Sequence, residues 1–162
     1  MKQFIVESNQ EKQITITKSG QYLVKLVGKG AHANITGKFK LSGSDKLDLN
    51  IITIHAAPHT SANTNLRAVV DDTASATING TIIVEKNAQQ TNSFLTEKVL
   101  LLSPKATANA IPNLEIEADD VKCSHAATVG TIDEEQLFYL QSRGISEPKA
   151  KAMIADGFLN PN

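Results

Sequence analysis

Cys123 is the only cysteine in this chain of 162 residues, and His125 stands two positions beyond it in Asp119-Asp120-Val121-Lys122-Cys123-Ser124-His125. Thiolate and imidazole are both metal ligands, and in an extended segment residues two apart project from one face. One metal ion could therefore touch both side chains. Two ligands do not complete a zinc or iron–sulfur centre, which takes about four, so the pair is half a site, finished by another chain or filled transiently. A buried cysteine acting as a small apolar group beside a hydrogen-bonded histidine accounts for the same spacing. His55 and His59 bracket Ala56-Ala57-Pro58, where Pro58 makes a turn sufficient reason for the stretch. Asp71-Asp72 and Asp119-Asp120 read as turn residues, and Glu115 and Glu117, alternating with Leu114 and Ile116, read as a solvated strand face.

Other chemistry is missing from the sequence. There is no G-x-x-x-x-G-K-S/T phosphate loop, no G-x-S-x-G, no H-E-x-x-H and no C-x-x-C, so a non-enzyme is expected. The 16 basic residues nearly cancel the 17 acidic ones, which leaves no field to recruit nucleic acid or an anionic membrane. A single cysteine closes no internal disulfide, and no apolar run approaches the roughly 18 residues that span a bilayer. Met1 to Glu7 is too polar for a signal peptide. A cytoplasmic location is the expectation.

The elements that must carry Cys123 and His125 are strands. From Gln13 to about Ala118 apolar and polar residues alternate, as in Ile14-Thr15-Ile16 and Leu114-Glu115-Ile116-Glu117, with turn residues at Ser19-Gly20, Gly28-Lys29-Gly30, Ser42-Gly43-Ser44, Lys86-Asn87 and Ser103-Pro104. With 4% aromatics and no Trp, the core must be Val, Ile, Leu and Ala. The pattern A-x-A-x-I-x-G-x-Φ-x-Φ, Φ being a large apolar residue, starts at Ala31 and again at Ala74, with a weaker copy from Ala106. Such repetition suits stacked coils of a β-solenoid, and a β-sandwich shares the short alternating strands. Beyond Thr131 the period becomes helical. Asp133 or Thr131 can cap a helix carrying Leu137, Phe138 and Leu140, stopped by Gly144; a second starts at Ser146 and carries Ala150, Met153 and Ile154, continued by Phe158, with Gly157 after its end. Two such short helices need a surface to bury against, and a cap over an end of the solenoid supplies one.

The run Leu114 to Gly130, followed by Ile132 to Ile145, resembles the signature of the SufB/SufD family of the SUF iron–sulfur system; His59-Thr60, Leu66 to Val84, Asn87 to Thr91 and Leu100 to Ser103 are similar to the same family's core. The Cys-Ser-His arrangement at 123–125 looks like SufD, because SufB-type chains carry His-Glu-Ala there. The resemblance implies an all-β fold, a right-handed parallel β-helix over residues 1–130, closed by a helical hairpin over residues 131–162. It implies further that the solenoid end pairs with a SufB-like subunit or a second copy of this chain. At that interface His125, with Cys123 beside it, would meet a transient iron–sulfur cluster and no tightly bound cofactor. It also implies that the hairpin docks a SufC-like ABC ATPase through Leu137, Phe138, Leu140, Met153, Ile154 and Phe158. Two departures stand out: Ala126 where the motif usually has Gly, and Phe94-Leu95-Thr96-Glu97-Lys98 in place of an Asn/Arg-rich segment. Two other readings stay open, a homodimer that keeps the fold without cluster chemistry and a metal-dependent hydrolase.

Overall fold

In the computed structural model, which describes residues 1–161, ten strands are followed by two helices. The strands are β1 Lys2–Val6, β2 Glu11–Ile16, β3 Gly20–Leu26, β4 His32–Leu41, β5 Lys46–His55, β6 Ser61–Val70, β7 Ser75–Val84, β8 Thr91–Leu101, β9 Thr107–Ile116 and β10 Val121–Thr131; the helices are α1 Glu134–Ser142 and α2 Glu147–Leu159. Odd-numbered strands form one sheet in the order β1-β3-β5-β7-β9 and even-numbered strands the other, β10-β8-β6-β4-β2. All pairings are parallel. The chain therefore crosses from sheet to sheet at every turn, one strand of each sheet per coil, and climbs a β-solenoid. Parallel pairing decides against the sandwich, whose sheets are antiparallel.

The alternation seen in the sequence becomes inside and outside. Along β7, Ala76, Ile78, Gly80, Ile82 and Val84 are buried while the residues between them are half-exposed. Because neighbouring strands are parallel and in register, like residues stack into columns: Leu47, Ala76 and Ala108 on the first sheet, Ala33, Ala62, Ser93 and Cys123 on the second. Burying each Ile, Leu or Val of this lining contributes on the order of 1.5–3 kcal/mol.

The repeat spacing needs one correction. His32 pairs with Ser61 and Ser75 with Thr107, so a coil is about 30 residues, and the 32-residue displacement from Ala74 to Ala106 is one coil. The displacement of 43 from Ala31 to Ala74 is a coil and a half, which places those copies on opposite sheets. They look alike because both sheets present the same inward alternation at the same distance from a corner.

One corner recurs in the first four coils. Asn9, Gly30, His59 and Gln90 all have φ between 57° and 71°, and the amide of each donates to a carbonyl one coil further on, of Lys29, Pro58, Gln89 and Asp120 respectively, at 2.6–3.4 Å. The left-handed conformation reverses the chain at no cost to Gly and a modest one to Asn or His. At Gly30 the space is restricted as well, since a Cβ there would lie 2.6 Å from Asn9 Oδ1. Ala126 has no such requirement: it lies within extended β10 and is not among the positive-φ residues.

The two helices are present, and they lie along a flank. Ile132, Leu137, Ala150, Ala155 and Leu159 bury against Val69 and Leu100 of the second sheet's outer surface. Arg67 donates from Nη1 to the Phe158 carbonyl at 2.8 Å, and Lys38 Nζ donates to Asn160 Oδ1 at 2.8 Å. The expected cover over a solenoid end is thus a cover over the side, because the outward Val69 and Leu100 supply the apolar surface the hairpin needs. Asp133 is the cap of α1, accepting from the amides of Glu135 and Gln136. Gly157, expected after α2, lies inside it: the helix runs on to bury Leu159 and ends at Asn160. Asn162, the last residue of the expected hairpin region, lies outside the described residues.

Candidate functional site at the open end of the solenoid

β9 and β10 each pair with one neighbour only, β7 and β8, so the last coil presents two strand edges and an uncovered inner face. On β10 that face carries Cys123, His125, Ala127 and Val129, stacked on Ser93, Leu95, Glu97 and Val99 of β8, all of which are buried. The expectation that Cys123 and His125 share one face therefore holds, and the shared face is the inside of the solenoid at its open end. Cys123 is half-buried against the cluster of Ile82, Val84 and Leu95; His125 is exposed.

Burial pushes the Cys123 thiol above its ordinary value, partly offset by the Ser93 backbone. The free chain thus holds a neutral thiol, and a metal ion arriving at the end would have to displace its proton. Among the described residues no three His, Cys, Asp or Glu side chains converge on a common point. The geometry is that of a half-site.

Below Cys123 lies a polar network. His55 is fully buried, with Nδ1 2.8 Å from Thr60 Oγ1 and Nε2 2.9 Å from Ser93 Oγ. Thr60 donates to the Ala57 carbonyl and Thr91 to that of Ala88, and the two threonine oxygens lie 3.1 Å apart. With the Thr60 proton on the Ala57 carbonyl and the Thr91 proton on the Ala88 carbonyl, Thr60 accepts from His55 Nδ1 and Ser93 donates to Nε2, which satisfies both nitrogens of a neutral ring. Burial lowers its pKa to about 4. His59, by contrast, is the corner residue described above, so the two histidines do not meet as a pair.

Glu97 is the other buried ionisable group. It is fully enclosed, and neither carboxylate oxygen has a hydrogen-bond partner. Burial raises its pKa to about 7; the Gly80 backbone pulls the other way without a geometry that completes a hydrogen bond. The lack of a side chain at Gly80 makes room for the carboxyl.

On the hairpin, Leu137 is buried, and Leu140, Ile154 and Phe158 pack against the cluster that joins the helices to the solenoid flank, Phe158 with Arg67 over its ring at 5.5 Å. Phe138 and Met153 are exposed, at 71% and 47%, and Tyr139 beside them at 56%. The six residues expected to meet a partner thus divide into four that belong to the cluster joining hairpin and sheet and two that face outward.

A family model for the SUF system FeS cluster assembly SufBD core domain matches residues 10–158. The chain belongs to the SufBD core family. The SufD protein of Escherichia coli is 48% identical over 92 residues, covering 57% of this chain and 22% of the relative, and the SufD protein of Bacillus subtilis 44% identical over 93 residues, 57% of the chain and 21% of the relative. A SufBD family protein of Mycobacterium leprae is 31% identical over 160 residues, 91% of the chain and 41% of the relative. The chain thus spans between about a fifth and two fifths of the length of these relatives.

Within this SufBD core, sequence reasoning found Cys123 and His125 but missed the groups beneath them. Glu97 was legible only as a departure from the family pattern. Its real signal is phase: it occupies an inward position in Leu95-Thr96-Glu97-Lys98-Val99, between the inward apolar residues Leu95 and Val99. His55, Thr60, Thr91 and Ser93 carry no such signal, because their hydrogen bonds join residues 5 to 38 positions apart.

Proposed function

We propose that this chain acts as a SufD-like scaffold subunit of iron–sulfur cluster assembly, pairing through the open end of its solenoid and handling the cluster as cargo at that end. The observation that carries the reading is the placement of Cys123 and His125 side by side on the inner face of the terminal β9–β10 coil, which no further coil covers. Unpaired strand edges are templates for another chain, and a half-set of soft and borderline ligands on such a surface suits a cluster completed from across it. The partner is a SufB-like subunit or a second copy. The exposed Phe138 and Met153 on the flank suit a separate docking surface for a SufC-like ABC ATPase, away from the cluster-bearing end. A cytoplasmic site of action accords with a thiol that must stay reduced.

Anaerobic reconstitution with iron and sulfide in the presence of the pairing subunit tests this directly. His125→Ala should cut the cluster absorbance severalfold while the far-ultraviolet spectrum of the solenoid stays the same. Cluster formation indifferent to both His125→Ala and Cys123→Ser would leave the homodimer without cluster chemistry.

A further inference from the structure

The solenoid interior holds two ionisable side chains that are fully buried, and they are treated oppositely. His55 has both ring nitrogens satisfied by hydroxyls. Glu97 has neither oxygen satisfied, although it is 0% exposed. A buried carboxyl without a partner is costly to keep, so its position in the fold matters. Glu97 stands on β8 directly beneath Ala127 of β10, and Leu95 directly beneath His125. Glu97 and His125 are therefore diagonal neighbours on one inner face, on adjacent rungs, roughly 8 Å apart at Cα, which is within reach of two long side chains. Only the methyl of Ala127 stands above the carboxyl on its own sheet, and opposite it Gly80 contributes no side chain. His125, for its part, makes no side-chain hydrogen bond to any described residue, and its ring lies open to solvent.

We infer that Glu97 is the positioning residue of His125, its carboxyl taking the ring N–H that points into the solenoid once the open end is covered, so that the other ring nitrogen is aimed outward at the metal. Histidine ligands characteristically donate their second ring N–H to a carboxylate, which fixes tautomer and orientation and strengthens the ligand. While the end is open, water serves His125 and the carboxyl leans toward Gly80. Covering the end removes that water, and among the described residues the Glu97 carboxyl is the only buried side-chain acceptor left without a partner. The inference rests on the reading of His125 as the ligand at this end.

The test uses the full chain, labelled with 15N at histidine, mixed with a SufB-like subunit so that the β9–β10 end is covered, and titrated with Zn2+ as the only metal. In the wild type His125 should shift on metal addition and settle into a single tautomer. Glu97→Leu should leave the amide spectrum of a folded solenoid, raise the apparent Kd for Zn2+ by about 10-fold or more, and leave His125 a mixture of tautomers; Glu97→Gln, which keeps a carbonyl acceptor, should fall between. An identical tautomer and Kd in wild type and Glu97→Leu would overturn the inference, as would a wild-type His125 that does not respond to Zn2+. Cluster reconstitution separates the two readings: dependence on His125 together with indifference of its tautomer to Glu97 sinks the positioning role alone, and the converse sinks the proposed cluster role alone.

Discussion

Two buried groups with displaced pKa values set the pH dependence of stability. His55 falls from 6.5 to about 4 in the fold, so the native state resists its protonation: its contribution is complete above pH 6.5 and is lost as pH falls toward 4, by about 3 kcal/mol. Glu97 rises from 4.5 to about 7, so the native state resists its ionisation, and stability drops by a similar amount as pH rises from 4.5 to 7. Between about pH 4.5 and 6.5 the two slopes oppose one another, and the wild type should show a nearly flat denaturant midpoint there. Glu97→Leu should unmask the His55 slope, with stability rising from pH 4 to 6.5 and then level. It should also leave the protein more stable than wild type at pH 7.5, by about 3 kcal/mol less whatever strain the new side chain brings. Urea melts at half-unit pH steps would check this; a Glu97→Leu profile identical to wild type would show that Glu97 does not titrate in this range.

At the scale of elements, α2 keeps a glycine in its interior. Gly157 lies between Ala155 and Leu159, both buried, and a methyl group added there would meet nothing within 4 Å. Glycine inside a helix costs about 0.5–1 kcal/mol relative to alanine, so Gly157→Ala should raise stability by that amount, read as a small increase in melting temperature. Gly80 offers the contrast within β7. A Cβ there would run into Glu97 and Leu95 across the interior, so Gly80→Ala should destabilise by about 1–3 kcal/mol. The same residue type carries opposite predictions because one position faces open space and the other faces a packed column.

The molecule as a whole separates its surfaces. Coils stack along one axis and leave the β9–β10 end uncovered, while the hairpin occupies the flank of the second sheet through Val69, Leu100 and Leu137. Pairing and ATPase docking, as proposed, would then use different sides and need not compete. Phe138→Asp combined with Met153→Asp alters only outward side chains, so the solenoid should remain folded and cluster formation at the end unaffected. Retention of the ATPase in a pull-down should fall at least tenfold, as expected when apolar anchors are lost from an interface; full retention would rule out these two residues as its docking points.

Local chemistry was enough to establish a good deal. Strand alternation, the turn residues, the helical period after Thr131 and the same-face placement of Cys123 and His125 all follow from periods of two and 3.6 residues along the chain. The family likeness added the parallel coil and the open-end pairing as expectations. Only the tertiary structure decided which residues stack on which. It turned the 43-residue repeat into a coil and a half, sent the hairpin to the flank, extended α2 through Gly157, joined His55 to Ser93 across 38 residues, and placed Glu97 one rung beneath the end. Register between coils is set by loop lengths and by packing summed over whole columns, and no window of sequence contains both members of a pair that lie about 30 residues apart.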